Sequence, residues 1–153
     1  MEIQNTHFLY PATLFASNTH YVVNTILGSC VAVCLWDPIT KIGGINHFML
    51  PLWNGQGLAS PKFGNIAIEK LLDKMNSFGC KKNNLIAKVF GGAEVIEINY
   101  TQFHIGERNI KLALEMLEEL KIPITGSSVG GNLGRKIIFE TSTGDVRQKY
   151  IKK

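Results

Sequence analysis

The sequence predicts an α+β domain built mostly of strands. Short β-branched and aromatic runs gather at both ends of the chain, a 3.6-residue period shows at only two places between them, and strands do not alternate strictly with helices as a doubly wound sheet requires. The length of 153 residues, 45% of them hydrophobic and 18% charged, is that of one globular domain over residues 1–153.

Residues 1–18 show little periodicity and several turn formers, and read as an arm or a short edge element. Tyr21 to Ile26, Val31 to Trp36 and Ile42 to Leu50 are bounded by Gly28-Ser29, Asp37-Pro38 and Pro51, as buried strands are. Asp37 to Lys41 supplies the turn that folds the last two into a hairpin. Ile68, Leu71, Leu72 and Met75 then recur at helical spacing between Pro61 and Gly79, which predicts a helix over 63–78. Leu85 to Phe90 returns to strand character and ends in Gly91-Gly92. A second helix runs from Glu107 to Leu120, with Ile110, Ala113, Leu114 and Leu117 as its apolar stripe, Lys111 facing Glu115, and Pro123 beyond its end. Ile122 to Ser127, Arg135 to Thr141 and Val146 to Ile151 complete seven strands, the last two joined by Ser142-Thr143-Gly144-Asp145.

Charge and cysteine usage narrow the class. Sixteen Lys+Arg against 12 Asp+Glu leave a mild +4, which excludes a disordered chain. Ile3 to Trp36 carries no charged residue, but it is broken by Asn18, Thr19, His20, Asn24, Thr25, Gly28 and Ser29 and has no basic start. Neither a signal peptide nor a membrane span is expected there, and no membrane insertion. Arg135, Lys136, Arg147, Lys149, Lys152 and Lys153 lie among strand-like residues without interleaved aromatics. They read as a solvated edge face, so no nucleic acid is expected as a partner. Three cysteines cannot all pair within one chain, and so few point to a reducing, cytoplasmic location with free thiols.

Those thiols carry the candidate chemistry. Cys30 follows Gly28-Ser29 at the mouth of a strand, where glycine permits a sharp approach and backbone N–H groups near Ser29 and Cys30 can hold a thiolate or an oxyanion. A thiol of ordinary pKa, about 8.5, needs a base beside it, and the hairpin returns His47 alongside Cys30. A cysteine in an apolar run is also commonly a small buried hydrophobe, and a strand histidine a satisfied core group, so spacing alone leaves the pair open. Cys34, on the same strand face as Cys30, reads as structural, and Cys80, after the first helix, as an exposed loop thiol. His7, His20 and His104 lack spaced partners and read as surface residues. Metal binding by Cys30, Cys34 and His47, with His104 or Cys80 as a further ligand, is disfavoured because zinc ligands pair at short spacing in turns rather than along a strand, so no metal is expected. Gly91-Gly92 and Gly130-Gly131 fit no phosphate-loop frame and read as turn or close-approach glycines.

Five motifs in order, Leu27-Gly28-Ser29-Cys30, His47-Phe48-Met49-Leu50-Pro51, Ala87 to Ala93, Ile105-Gly106-Glu107-Arg108-Asn109 and Gly130 to Arg135, resemble the chemoreceptor glutamine deamidase family, CheD, over about residues 16–150. The resemblance implies a layered α/β/β fold with both helices on one side, related to glutamine-deamidating toxins. It implies an enzyme that converts chemoreceptor glutamines to glutamate without a cofactor, in some members with methylesterase activity. It implies Cys30 as nucleophile, His47 as base and Thr25 as the third member, with Thr25 chosen over Asn24 for its hydroxyl, and Gly28 and Ser29 supporting. Receptor cytoplasmic helices would be the substrate surface, a CheC-type phosphatase a partner in many species, and the chain a monomer. Ser128 stands where the family often has an acidic residue. A non-catalytic docking module, or a cysteine amidohydrolase acting on another protein glutamine, are the alternatives to that function.

Overall fold

The computed structural model describes residues 4–94 and 104–152. In chain order these are β1 Thr6–Phe8, β2 Thr13–Ser17, β3 Val22–Leu27, β4 Val31–Asp37, β5 Ile42–His47, α1 Gly64–Ser77, β6 Ile86–Gly91, α2 Ile105–Glu119, β7 Ile124–Val129, β8 Arg135–Glu140 and β9 Val146–Tyr150. The strands form a five-stranded sheet in the order β2-β5-β4-β6-β7 and a four-stranded sheet in the order β1-β3-β8-β9. The α+β class is borne out, with nine strands and two helices among the described residues.

Strand alternation builds the layers. Val31, Val33 and Leu35 of β4 join Ala67, Ile68, Leu71 and Met75 of α1 and Ala113 and Leu117 of α2 in one core. The intervening residues, Ala32 and Cys34, turn to the opposite face and pack with Val23 and Leu27 of β3 and Ile137 and Phe139 of β8. Helices, five-stranded sheet and four-stranded sheet are therefore stacked in that order. Because β4 is covered on both faces, it reads as a continuous apolar run rather than an alternating one.

The hairpin between β4 and β5 forms at the expected turn. Asp37 accepts the backbone N–H groups of Ile39 and Thr40 on its carboxylate, at 2.8 and 3.2 Å, and that of Lys41 on its carbonyl at 2.7 Å. Regular pairing of β5 stops at His47, and Phe48 continues it as a single bridge to Val31.

Two expectations are corrected, and one left open between two readings is decided. Of the two readings of residues 1–18, an arm or a short edge element, the described part from residue 4 on is the second: β1 pairs in parallel with β3 and β2 antiparallel with β5, one short edge strand for each sheet. Cys80 is not exposed but buried. Gly79, with φ of 92°, donates to Asn76 and Cys80 donates to Met75 in the pattern that closes a helix with its next residue folded inward. Arg135 is not part of a solvated face. It shares the inward parity of Ile137 and Phe139, and its buried guanidinium donates to the carbonyls of Ser128 and Gly130 and lies 5.2 Å from the Tyr150 ring. Lys136, Arg147 and Lys149 are exposed, whereas Lys153 lies outside the described residues. No helix among the described residues is long and apolar enough to cross a membrane.

Two glycines let β5 lie between the other layers. A Cβ on Gly43 would sit 2.5 Å from the Thr141 carbonyl oxygen and 2.9 Å from the Phe139 ring, while one on Gly44 would sit 2.8 Å from Leu71. Gly43→Ala is therefore expected to cost about 1–3 kcal/mol by forcing the sheets apart. A urea denaturation midpoint unchanged from wild type would show that the sheets are not in close contact there.

Candidate functional site

The site lies where β4 begins and β5 ends. Val31 and Phe48 exchange both backbone hydrogen bonds, at 3.1 and 2.9 Å, and Cys34 pairs with Ile45 further along the same ladder. That register puts His47 opposite Ala32 and Cys30 one step diagonal to His47 on the face toward the four-stranded sheet. Diagonal neighbours of this kind lie about 7–8 Å apart at Cα, within reach of a long side chain. Cys30 is partly exposed and Cys34 buried, both as free thiols.

The third residue comes from the opposite sheet. In β3 the inward parity runs through Val23, Thr25 and Leu27, so Thr25 is fully buried while Asn24 is turned outward and half-buried. Thr25 Oγ1 lies 2.7 Å from His47 Nδ1 and 2.7 Å from the Leu9 carbonyl oxygen. A carbonyl can only accept, so the hydroxyl gives its hydrogen to Leu9 and must accept from His47 Nδ1–H. This fixes the tautomer: Nε2 is left with a bare lone pair. That nitrogen is buried and has no partner among the described residues.

Burial also sets the protonation of the pair. Removal from water lowers the His47 pKa to about 4. Burial pushes the Cys30 thiol up, an effect opposed by its own backbone N–H. Thiol and imidazole are therefore both neutral at rest, and the imidazole keeps one unprotonated nitrogen. Cys34 is pushed up much further by complete burial, as expected for a packing residue.

The turn that carries the thiol is held through all three of its carbonyls. Gly28 accepts from Ala93 N–H at 2.9 Å, Ser29 from Asn109 Nδ2 at 3.0 Å, and Cys30 from Gly92 N–H at 2.9 Å. Gly91 and Gly92, with φ of 106° and 74°, are the close-approach glycines of the sequence reading. A Cβ on Gly91 would overlap the Cys30 carbonyl, and one on Gly92 would overlap Ile110 of α2. Sequence reasoning missed Asn109 as a part of the site; the signal available was a polar residue on the apolar side of a helix, one turn before Ala113. Among the described residues no three His, Cys, Asp or Glu side chains converge as a metal site requires, and His7, His20 and His104 lie away from the Cys30–His47 pair, bonded or stacked with Phe15, Ser142 and Glu107.

Comparison with known proteins gives the same family as the motifs. A protein named "Probable chemoreceptor glutamine deamidase CheD" from Trichlorobacter lovleyi is 51% identical over 140 residues, 92% of this chain and 87% of its own. One of the same name from Sulfurimonas denitrificans is 46% identical, covering 95% of this chain and 94% of its own. A third, from Anaeromyxobacter dehalogenans, is 40% identical over 90% and 80%. The first of these matches is too long to leave out Thr25, Cys30 or His47. The family model for CheD chemotactic sensory transduction matches residues 49–150, and with relatives of such identity along nearly its whole length, the chain belongs to the CheD family.

Proposed function

We propose that this chain is a chemoreceptor glutamine deamidase, hydrolysing receptor glutamine side chains to glutamate and ammonia through a thioester on Cys30. The observation that carries the reading is the Thr25–His47 hydrogen bond, which leaves His47 Nε2 unprotonated on the strand position diagonal to Cys30, in a chain 51% identical to a protein named for that activity.

In the first half-reaction, His47 Nε2 takes the Cys30 proton as sulfur attacks the carboxamide carbon, and backbone N–H groups of Ser29 and Cys30 meet the developing oxyanion. The C–N bond then breaks, and the same proton passes from His47 to the departing nitrogen, which leaves as ammonia. In the second, His47 takes a proton from water as it attacks the thioester, the C–S bond breaks, and the proton returns to sulfur. Thr25 holds the imidazole in one tautomer throughout, as the third member of a triad does. Every atom comes from the amide and one water, so the cycle uses no cofactor.

The surroundings suit a helical protein substrate. Tyr10 follows Leu9 directly, Met49 lies across from Cys30, and Leu52 follows closely, all three exposed and apolar. This reading carries with it a cytoplasmic place of action on receptor helices, a monomeric enzyme, and a CheC-type phosphatase as its docking partner.

Cys30→Ala is expected to abolish glutamine deamidation of receptor fragments, and Cys30→Ser to leave little, because a hydroxyl is far less acidic. Cys34→Ala keeps most of it. Wild-type rates in either Cys30 variant, read by ammonia release and peptide mass, would sink the mechanism.

The pH dependence follows from the neutral pair. His47 becomes cationic only near pH 4, and Cys30 ionises above the usual thiol range, so kcat/KM is expected to stay level from about pH 5.5 to 8.5. An acid limb at the ordinary imidazole value, about 6.5, would contradict the burial argument.

Thr25→Val leaves His47 Nδ1–H without its acceptor. It is expected to lower kcat about 10–100-fold, with Thr25→Ser restoring most of the loss. Equal rates in Thr25→Val and wild type would remove Thr25 from the mechanism.

A further inference from the structure

Asn109 of α2 is fully buried in a position that a leucine would fill by shape alone. Its Nδ2 donates to two carbonyls from different parts of the chain: Ser29, just before the thiol, and Met49, two residues beyond His47, both at 3.0 Å. Both partners are obligate acceptors, so the amide orientation is fixed with the NH2 group toward them. Its Oδ1 is then buried with no partner among the described residues. A core position that keeps an unsatisfied oxygen in order to present two donors answers to something other than packing.

The peptide unit explains what the donors do. Across a trans peptide the C=O of one residue and the N–H of the next point in opposite directions in one plane. The carbonyl of Ser29 and the N–H of Cys30 belong to one such plane. Gripping the Ser29 oxygen from the α2 side therefore aims the Cys30 N–H the other way, on the side where it favours a negative charge at its own sulfur. The neighbouring plane is gripped likewise, Gly28 C=O by Ala93 N–H, which aims the Ser29 N–H. Val31, whose plane begins at the Cys30 carbonyl, already donates to Phe48. Two N–H groups, of Ser29 and Cys30, are thus fixed in direction and not consumed by the strand ladder. A hydrogen bond to the carbonyl end also polarises the peptide and makes its N–H a stronger donor.

We propose that Asn109 is the positioning residue of the oxyanion hole: its side-chain amide fixes and polarises the Ser29–Cys30 peptide so that the Cys30 N–H meets the oxyanion formed at the substrate carbonyl. It touches neither thiol nor substrate and acts through the backbone. The inference rests on the reading of Cys30 as the nucleophile, but it does not depend on which amide is the natural substrate.

Two reagents separate this role from packing. Acylation of Cys30 by p-nitrophenyl acetate passes through a tetrahedral oxyanion, whereas alkylation by iodoacetamide is a displacement at a saturated carbon and forms none. Both are followed at the Cys30 peptide by mass spectrometry in the full chain, in wild type, Asn109→Leu and Asn109→Ala. Asn109→Leu keeps the volume and loses the donors, and carries the test alone if Asn109→Ala fails to fold. The expected result is acylation slowed about 10²-fold in either variant, with alkylation and its pH profile within about twofold of wild type. Acylation at the wild-type rate, equal slowing of both reactions, or a wild type that is alkylated but not acylated at Cys30 each overturns the proposal. Failure of the wild type to deamidate receptor glutamine, with the acylation and alkylation results as expected, would remove the receptor assignment and leave the role of Asn109 standing.

Discussion

Everything in this molecule is arranged around a strand that has no solvent face. Strand β4 packs its odd-numbered residues on the helices and its even-numbered ones on the four-stranded sheet, so the layers on either side can be placed in only one register. A slip of one residue would exchange the two sets, moving Cys34 to the helices and Val33 to the sheet interface. The same alternation determines that the residue just before the strand, Cys30, points between the sheets. It lies diagonal to a histidine of its own sheet, and that histidine bonds to a threonine of the other.

The hydrogen bond between Thr25 and His47 is therefore a bond between sheets, and the site exists only when the sandwich is closed. Its chain of donors ends at the Leu9 carbonyl, which is neutral. No carboxylate stands behind the imidazole in this relay, so the relay orients the ring without stabilising its charged form. In the proposed proton transfer the imidazolium's stabilisation would come from the thiolate formed with it, since opposite charges in a shielded place attract strongly. The aligned peptide N–H groups of the turn add to this without introducing a charge.

Much of this was legible in the residues. The switch in period at Ile68 and Ile110 located both helices, the Asp37 turn located the hairpin, and the hairpin alone put His47 on the face of Cys30. Parity in β3 would also have chosen Thr25 over Asn24, since Val23 and Leu27 mark its inward face. Short range was the limit elsewhere. Strands β1 and β2 are three and five residues long and depend on partners far along the chain, so their own sequence is too short to declare a period. Arg135 was misjudged by counting charges instead of following β8 alternation, and Cys80 by treating the residue after a helix stop as loop rather than as the apolar closure of the helix end. Asn109 needed three dimensions, because both of its acceptors are about 60 or more residues away.

The raised pKa of Cys30 has a consequence for the lifetime of the protein. Peroxide attacks thiolates, and the first oxidation product, a sulfenic acid, proceeds to irreversible acids when no second thiol is placed to reduce it. Cys34, four residues further along the same strand face, is enclosed and too far down the ladder to serve as such a resolving partner. A thiol kept neutral by burial escapes most of that damage. The shielding that raises the Cys30 pKa also preserves the thiol.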